Sequence, residues 1–146
     1  MAENEESVDS REHQKQAEFP VVGIGASAGG LKALQDFLRA VPPNPQVAFL
    51  VVQHLAPEHG SELPEILQRV TDMPVEEAAD QVVVEPGKVY VIPPDRELTV
   101  EDEVIRVDPL TTRPSRETID ILFRSLAEVY GPMSVGVVLS GTGQDG

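Results

Sequence analysis

The chain is 146 residues long, 40% apolar and 25% charged, with no cysteine. That length and composition suit one domain able to bury about 68–70% of its unfolded surface without a staple, and the missing thiols remove disulfides, zinc fingers and thiol catalysis together. The net charge of −14 opposes binding to DNA, RNA or anionic lipid, where phosphate neutralisation supplies most of the affinity, and the longest strongly apolar run, Val47–Val52, falls far short of the roughly 20 residues of a membrane span.

Residues 1–18 hold six acids and two bases and almost nothing large and apolar. Such a composition cannot offset its own ordering entropy, so a disordered acidic tail is expected. No basic-plus-apolar leader opens the chain, and the cytoplasm is the expected compartment. From Phe19 the pattern changes. Val21, Val22 and Ile24 form a short strand that runs into glycines. Leu31, Leu34, Phe37, Leu38 and Val41 then recur at helical spacing, and Pro42-Pro43 stops that helix. Val47–Val52 is a continuous apolar run, as in a parallel strand covered on both faces. Ser61 is positioned to cap a second helix, with Leu63, Ile66, Leu67 and Val70 on one face.

The middle of the chain is more β-like. Val82–Val84, Val89–Ile92, Leu98–Val100 and Val104–Val107 are short β-branched runs, and Glu101-Asp102-Glu103 reads as a hairpin tip. Ser115 is placed to cap a third helix whose Ile119, Leu122, Phe123, Leu126 and Tyr130 share a face. Ser134–Leu139 is a last strand, followed by Ser140-Gly141-Thr142-Gly143-Gln144-Asp145-Gly146. This order predicts a doubly wound, mostly parallel α/β sheet with helices on both faces, plus a β-hairpin. Ligands in such sheets bind beyond the carboxyl ends of the strands. The loops 25–30, 53–59 and 140–146 leave strands there.

Two patterns overlap in the first loop. Gly23, Gly25 and Ala28 fit a dinucleotide fingerprint, while Gly25, Ser27 and Gly29 fit Gly-x-Ser-x-Gly, a tight strand-to-helix turn carrying a nucleophilic serine. A dinucleotide site wants an acid near the end of the second strand. Here the strand ends Val51-Val52-Gln53-His54, which offers an imidazole able to take a hydroxyl proton near neutral pH. Of the three histidines, His13 lies in the tail and His59 in a polar loop. A lone histidine at a strand end is more often structural, but beside Ser27 the balance turns to catalysis. Asp145, among glycines, is the carboxylate placed to orient His54, though an Asp-Gly turn or a helix N-cap explains it as well. Arg113-Pro114-Ser115-Arg116 is either a seat for an acidic substrate or simply a helix start.

The stretches VVGIGASAGG, FLVVQHL, VYVIPPDREL and GVVLSGTGQDG, in this order, resemble the catalytic domain of the chemotaxis protein-glutamate methylesterase family, CheB. The resemblance runs from about Phe19 to Gly146, so the chain divides into a tail (1–18) and a methylesterase-type domain (19–146). It implies Ser27 as nucleophile, His54 as base and Asp145 as the residue that orients it, with Ala28 and Thr142 supplying backbone amides to the oxyanion. It implies hydrolysis of glutamyl methyl esters on bacterial chemoreceptors, and glutamine deamidation in some members, with no metal or cofactor. Its partners would be methylated receptor helices or a similar methylated protein.

Three departures stand out. Only the acidic stretch 1–18 precedes the region of resemblance, so the receiver domain that gates this enzyme family is expected to be missing, and the motif wording is closest to the module that opens fused methylesterase–methyltransferase (CheB–CheR) hybrids. A CheR methyltransferase, fused or separate, is therefore a further expected partner. Thr142 stands where the family often has methionine, and Ala28 where it often has threonine. The chain also stops one residue after Asp145, so the C-terminal elements of the family are expected to be missing. The competing readings are a catalytically weak or inactive regulatory or interaction module of such a hybrid, and a dinucleotide-binding domain resting on Gly23, Gly25 and Ala28 alone.

Overall fold

A computed structural model describes residues 18–53, 62–109 and 117–140. In chain order the elements are β1 (Val21–Ala26), α1 (Leu31–Arg39), β2 (Ala48–Gln53), α2 (Leu63–Gln68), β3 (Val75–Glu77), β4 (Val82–Val83), β5 (Val89–Val91), β6 (Arg96–Glu101), β7 (Val104–Pro109), α3 (Glu117–Tyr130) and β8 (Ser134–Leu139). Five strands form a parallel sheet in the order β3-β5-β2-β1-β8. The other three form a small antiparallel sheet, β4-β7-β6.

The continuous apolar runs are explained by burial on both faces. Every residue of β1, β2 and β5 is buried. Because successive side chains alternate across a strand, each strand feeds two cores. Val22, Ile24, Phe49, Val51, Val89 and Val91 pack with Leu34 and Leu38 of α1 and Leu63 and Leu67 of α2. Val21, Ala48, Leu50, Val52 and Tyr90 face the other way, toward Leu122, Leu126 and Tyr130 of α3 and toward Leu98, Val100 and Ile105 of the small sheet. Helices therefore cover both faces, as the doubly wound reading requires.

The helix faces fall where the periodicity puts them, and α1 ends at Arg39, just ahead of the proline pair. The hairpin tip is also where the sequence places it. Asp102 and Glu103 both have positive φ (52° and 67°) between the paired residues Glu101 and Val104, the two-residue loop whose twist matches its strands. A hydrogen bond ties α3 to this hairpin: the Val100 amide donates to Ser125 Oγ at 3.2 Å. The sequence gives no hint of β3, whose Val75-Glu76-Glu77 pairs in parallel with β5. Its charged residues suit an edge position, where they discourage further pairing. Residue Glu62 occupies the N-cap position of α2, with no side-chain cap bond. The proposed caps Ser61 and Ser115, and the tail through residue 17, lie outside the described residues.

Candidate active site

The register of the sheet sets the site. Ala26, the last residue of β1, pairs with Gln53 of β2 on one side and with Leu139 of β8 on the other. Three adjacent strands thus end at one level. Their carboxyl edge is the place where open α/β sheets bind ligands. Ser27, His54 and Ser140 are the next residues in the chain after these three ends.

Ser27 begins a single 3-10 turn over Ala28–Gly30 that leads straight into α1. Its backbone is extended (φ −75°, ψ 171°), so the turn is made without strain at the serine. Three hydrogen bonds fix the residue. Its amide donates to the Leu139 carbonyl at 3.1 Å, and its carbonyl accepts from the Gly30 amide at 2.8 Å. The same carbonyl accepts from Gln53 Nε2 at 3.2 Å. Glycine at position 30 has a steric cause. A Cβ there would sit 2.9 Å from the Leu139 carbonyl oxygen, so only glycine lets the turn close against the end of β8.

The glycines of β1 serve packing. A Cβ on Gly23 would lie 2.6 Å from Leu126 Cδ1, and one on Gly25 2.5 Å from Ile119 Cγ2. Gly136 of β8 meets Phe123 in the same way. The three glycines form a floor on which α3 rests. Gly23 and Gly25 are thereby occupied by helix side chains, which leaves the dinucleotide reading without its supporting feature.

Of the residues singled out by sequence, Ser27 and the backbone of Ala28 are placed by the structure. His54, Thr142 and Asp145 lie outside the described residues, as do His13, His59 and 113–116. The sequence reading missed Gln53 as part of the site. Its signal was a polar residue closing an otherwise apolar strand, and it is 8% exposed. Among the described residues no three acidic or imidazole side chains gather as a metal site would need, and no helix is long and apolar enough to cross a membrane. A broad polar cleft lined by Pro42, Asn44, Arg69, Asp72 and Pro86 lies at the amino ends of the strands, on the side of the sheet away from Ser27.

Comparison with known proteins agrees with this geometry. The family model described as CheB methylesterase matches residues 22–146. A protein-glutamate methylesterase/protein-glutamine glutaminase of Trichodesmium erythraeum is 36% identical over 131 residues, covering 86% of this chain and 37% of the relative. A Myxococcus xanthus protein of the same description is 37% identical over 131 residues, covering 86% and 38%. The chain thus spans under two fifths of the length of these relatives. Among solved structures, the CheB methylesterase catalytic domain of Thermotoga maritima superposes with a TM-score of 0.74 at 29% identity, covering 84% of this chain and 68% of that one.

Proposed function

The chain belongs to the CheB methylesterase family, and we propose that it is the esterase portion of an enzyme that hydrolyses glutamyl methyl esters on chemoreceptors or similar methylated proteins in the cytoplasm. In this reading Ser27 is the nucleophile, His54 its base and Asp145 the carboxylate that orients the histidine. The Ala28 and Thr142 amides hold the oxyanion. The observation that carries it is the position of Ser27. It stands on an unstrained, thrice-bonded turn where β1, β2 and β8 end level, and His54 and Ser140 directly follow the ends of the other two strands in sequence.

The chemistry follows from those roles. His54 takes the Ser27 hydroxyl proton as Oγ bonds to the ester carbonyl carbon. The carbonyl oxygen becomes an oxyanion held by backbone amides, each such donor being worth about 3–4 kcal/mol. The C–O bond to methoxide breaks, and His54 returns its proton so that methanol leaves. Water, deprotonated by the same histidine, attacks the acyl-serine. Ser27 regains its proton and free glutamate is released. A primary amide in place of the ester gives ammonia by the same route, which supports glutaminase activity on the same residues. The relatives' longer chains support the proposal that further sequence accompanies this portion. A CheR methyltransferase continuation is one such arrangement.

The test is methanol release from a glutamyl methyl ester peptide by the protein and by Ser27→Ala. Release that Ser27→Ala abolishes supports the reading. Release that survives Ser27→Ala, or none from the parent, overturns it.

A further inference from the structure

Gln53 closes β2, and all six residues of that strand are buried. A buried carboxamide calls for hydrogen-bond partners on both its halves. The donor half has one, the Ser27 carbonyl at 3.2 Å. The acceptor half, Oε1, is buried and accepts no hydrogen bond among the described residues. An apolar side chain would fill this space without that cost, so packing does not account for a glutamine here.

The identity of the bonded carbonyl gives the reason. The C=O of Ser27 and the N–H of Ala28 are the two ends of one peptide unit. No cis peptide occurs among the described residues, and a trans peptide is planar, with its N–H directed opposite to its C=O. Holding the oxygen therefore aims the Ala28 N–H away from β2. Hydrogen bonds to a carbonyl also polarise the amide beyond it and strengthen that amide as a donor. This carbonyl carries two such bonds, from Gly30 N–H and from Gln53 Nε2. The Gly30 bond belongs to the turn itself. Among the described residues, Gln53 is the side chain that anchors the turn to the neighbouring strand.

We infer that Gln53 is a positioning residue: through its bond to the Ser27 carbonyl it orients and polarises the Ser27–Ala28 peptide, and so sets the direction and strength of the Ala28 N–H as an oxyanion donor. The inference rests on the esterase reading for its catalytic meaning, and on the hydrogen-bond geometry alone for its structural part. Residue 53 also precedes His54, so one strand end holds the donor amide and delivers the base.

The experiment compares the protein with Gln53→Met, which keeps the length and removes both polar ends, and with Gln53→Glu, which keeps the shape but loses the donor when ionised. The first readout is the Ala28 amide resonance in a 15N–1H spectrum and its hydrogen-exchange rate. In both variants the resonance should shift upfield and exchange should quicken, while amides of α1 beyond its first turn stay in place. The second readout is steady-state hydrolysis of a glutamyl methyl ester peptide. It should show kcat lowered 10- to 100-fold with KM within twofold, per active site counted by a serine-directed probe. An unmoved Ala28 amide overturns the inference whatever the activity. A moved amide with kcat unchanged, or with the loss confined to KM, overturns its catalytic part. A moved amide in a protein whose parent shows no hydrolysis upholds the positioning and defeats the esterase reading.

Discussion

The Ser27 amide donates to the Leu139 carbonyl at 3.1 Å, so the serine turn is bonded to the final residue of β8. Leu139 also limits the turn sterically, because its carbonyl oxygen is what a side chain at position 30 would strike. One carbonyl thus serves the serine's placement twice. The glycine-rich segment that contains Thr142 and Asp145 follows the same strand in sequence.

Two glycine substitutions should separate packing from site geometry. Gly25→Ala meets the Ile119 side chain, on the face packed against α3. Overpacking of this kind costs about 1–3 kcal/mol, and urea denaturation should show that loss with little change in catalysis per folded molecule. Gly30→Ala meets backbone instead. It should displace the Ser27 turn and lower kcat at least tenfold, even where the unfolding midpoint moves no further than in Gly25→Ala.

The two buried tyrosines should respond oppositely to loss of the hydroxyl. Tyr90 Oη accepts from the Glu85 amide at 3.0 Å. Tyr90→Phe strands that amide and should cost about 1–2 kcal/mol. Tyr130 Oη is buried with no partner among the described residues, and burial pushes its phenol well above the ordinary tyrosine range. Tyr130→Phe removes an unsatisfied hydroxyl and should leave stability unchanged or raise it by up to about 1 kcal/mol. Paired urea titrations at neutral pH check both signs.

Glu103, at the hairpin tip, has its carboxyl raised above the ordinary glutamate range, first by desolvation and then by the nearby charge of Glu18. A carboxyl raised in the folded state favours folding when protonated. That contribution is fully present below the unfolded pKa and is lost as pH rises through the folded one. At neutral pH the ionised group therefore opposes folding. Glu103→Gln should raise the unfolding midpoint at pH 7, and the advantage should disappear below about pH 4. Urea midpoints of both proteins across that range give the answer.

Much of this fold is legible in the residues themselves. The apolar runs of β1, β2 and β5 announce burial on two faces, and the Ile119–Tyr130 face of α3 is a plain helical repeat. The strand β3 is not legible, because Val75-Glu76-Glu77 is held by its register beside β5 rather than by any pattern of its own. The Gly-x-Ser-x-Gly spacing picks out Ser27. It leaves hidden that Gly23 and Gly25 seat α3, since a glycine required by a crossing helix looks the same in sequence as one required by a phosphate. Gln53 reads as the polar end of a strand. Its bond to the Ser27 carbonyl depends on β1 and β2 being neighbours in register, which a one-dimensional pattern does not carry.

Ser27 as nucleophile is tested by covalent labelling with a fluorophosphonate, located by peptide mass spectrometry. A single adduct on Ser27 is expected, lost in Ser27→Ala and slowed at least a hundredfold in His54→Ala, with the other serines unlabelled. An adduct on another serine, or labelling of Ser27 at the same rate in His54→Ala, would contradict it.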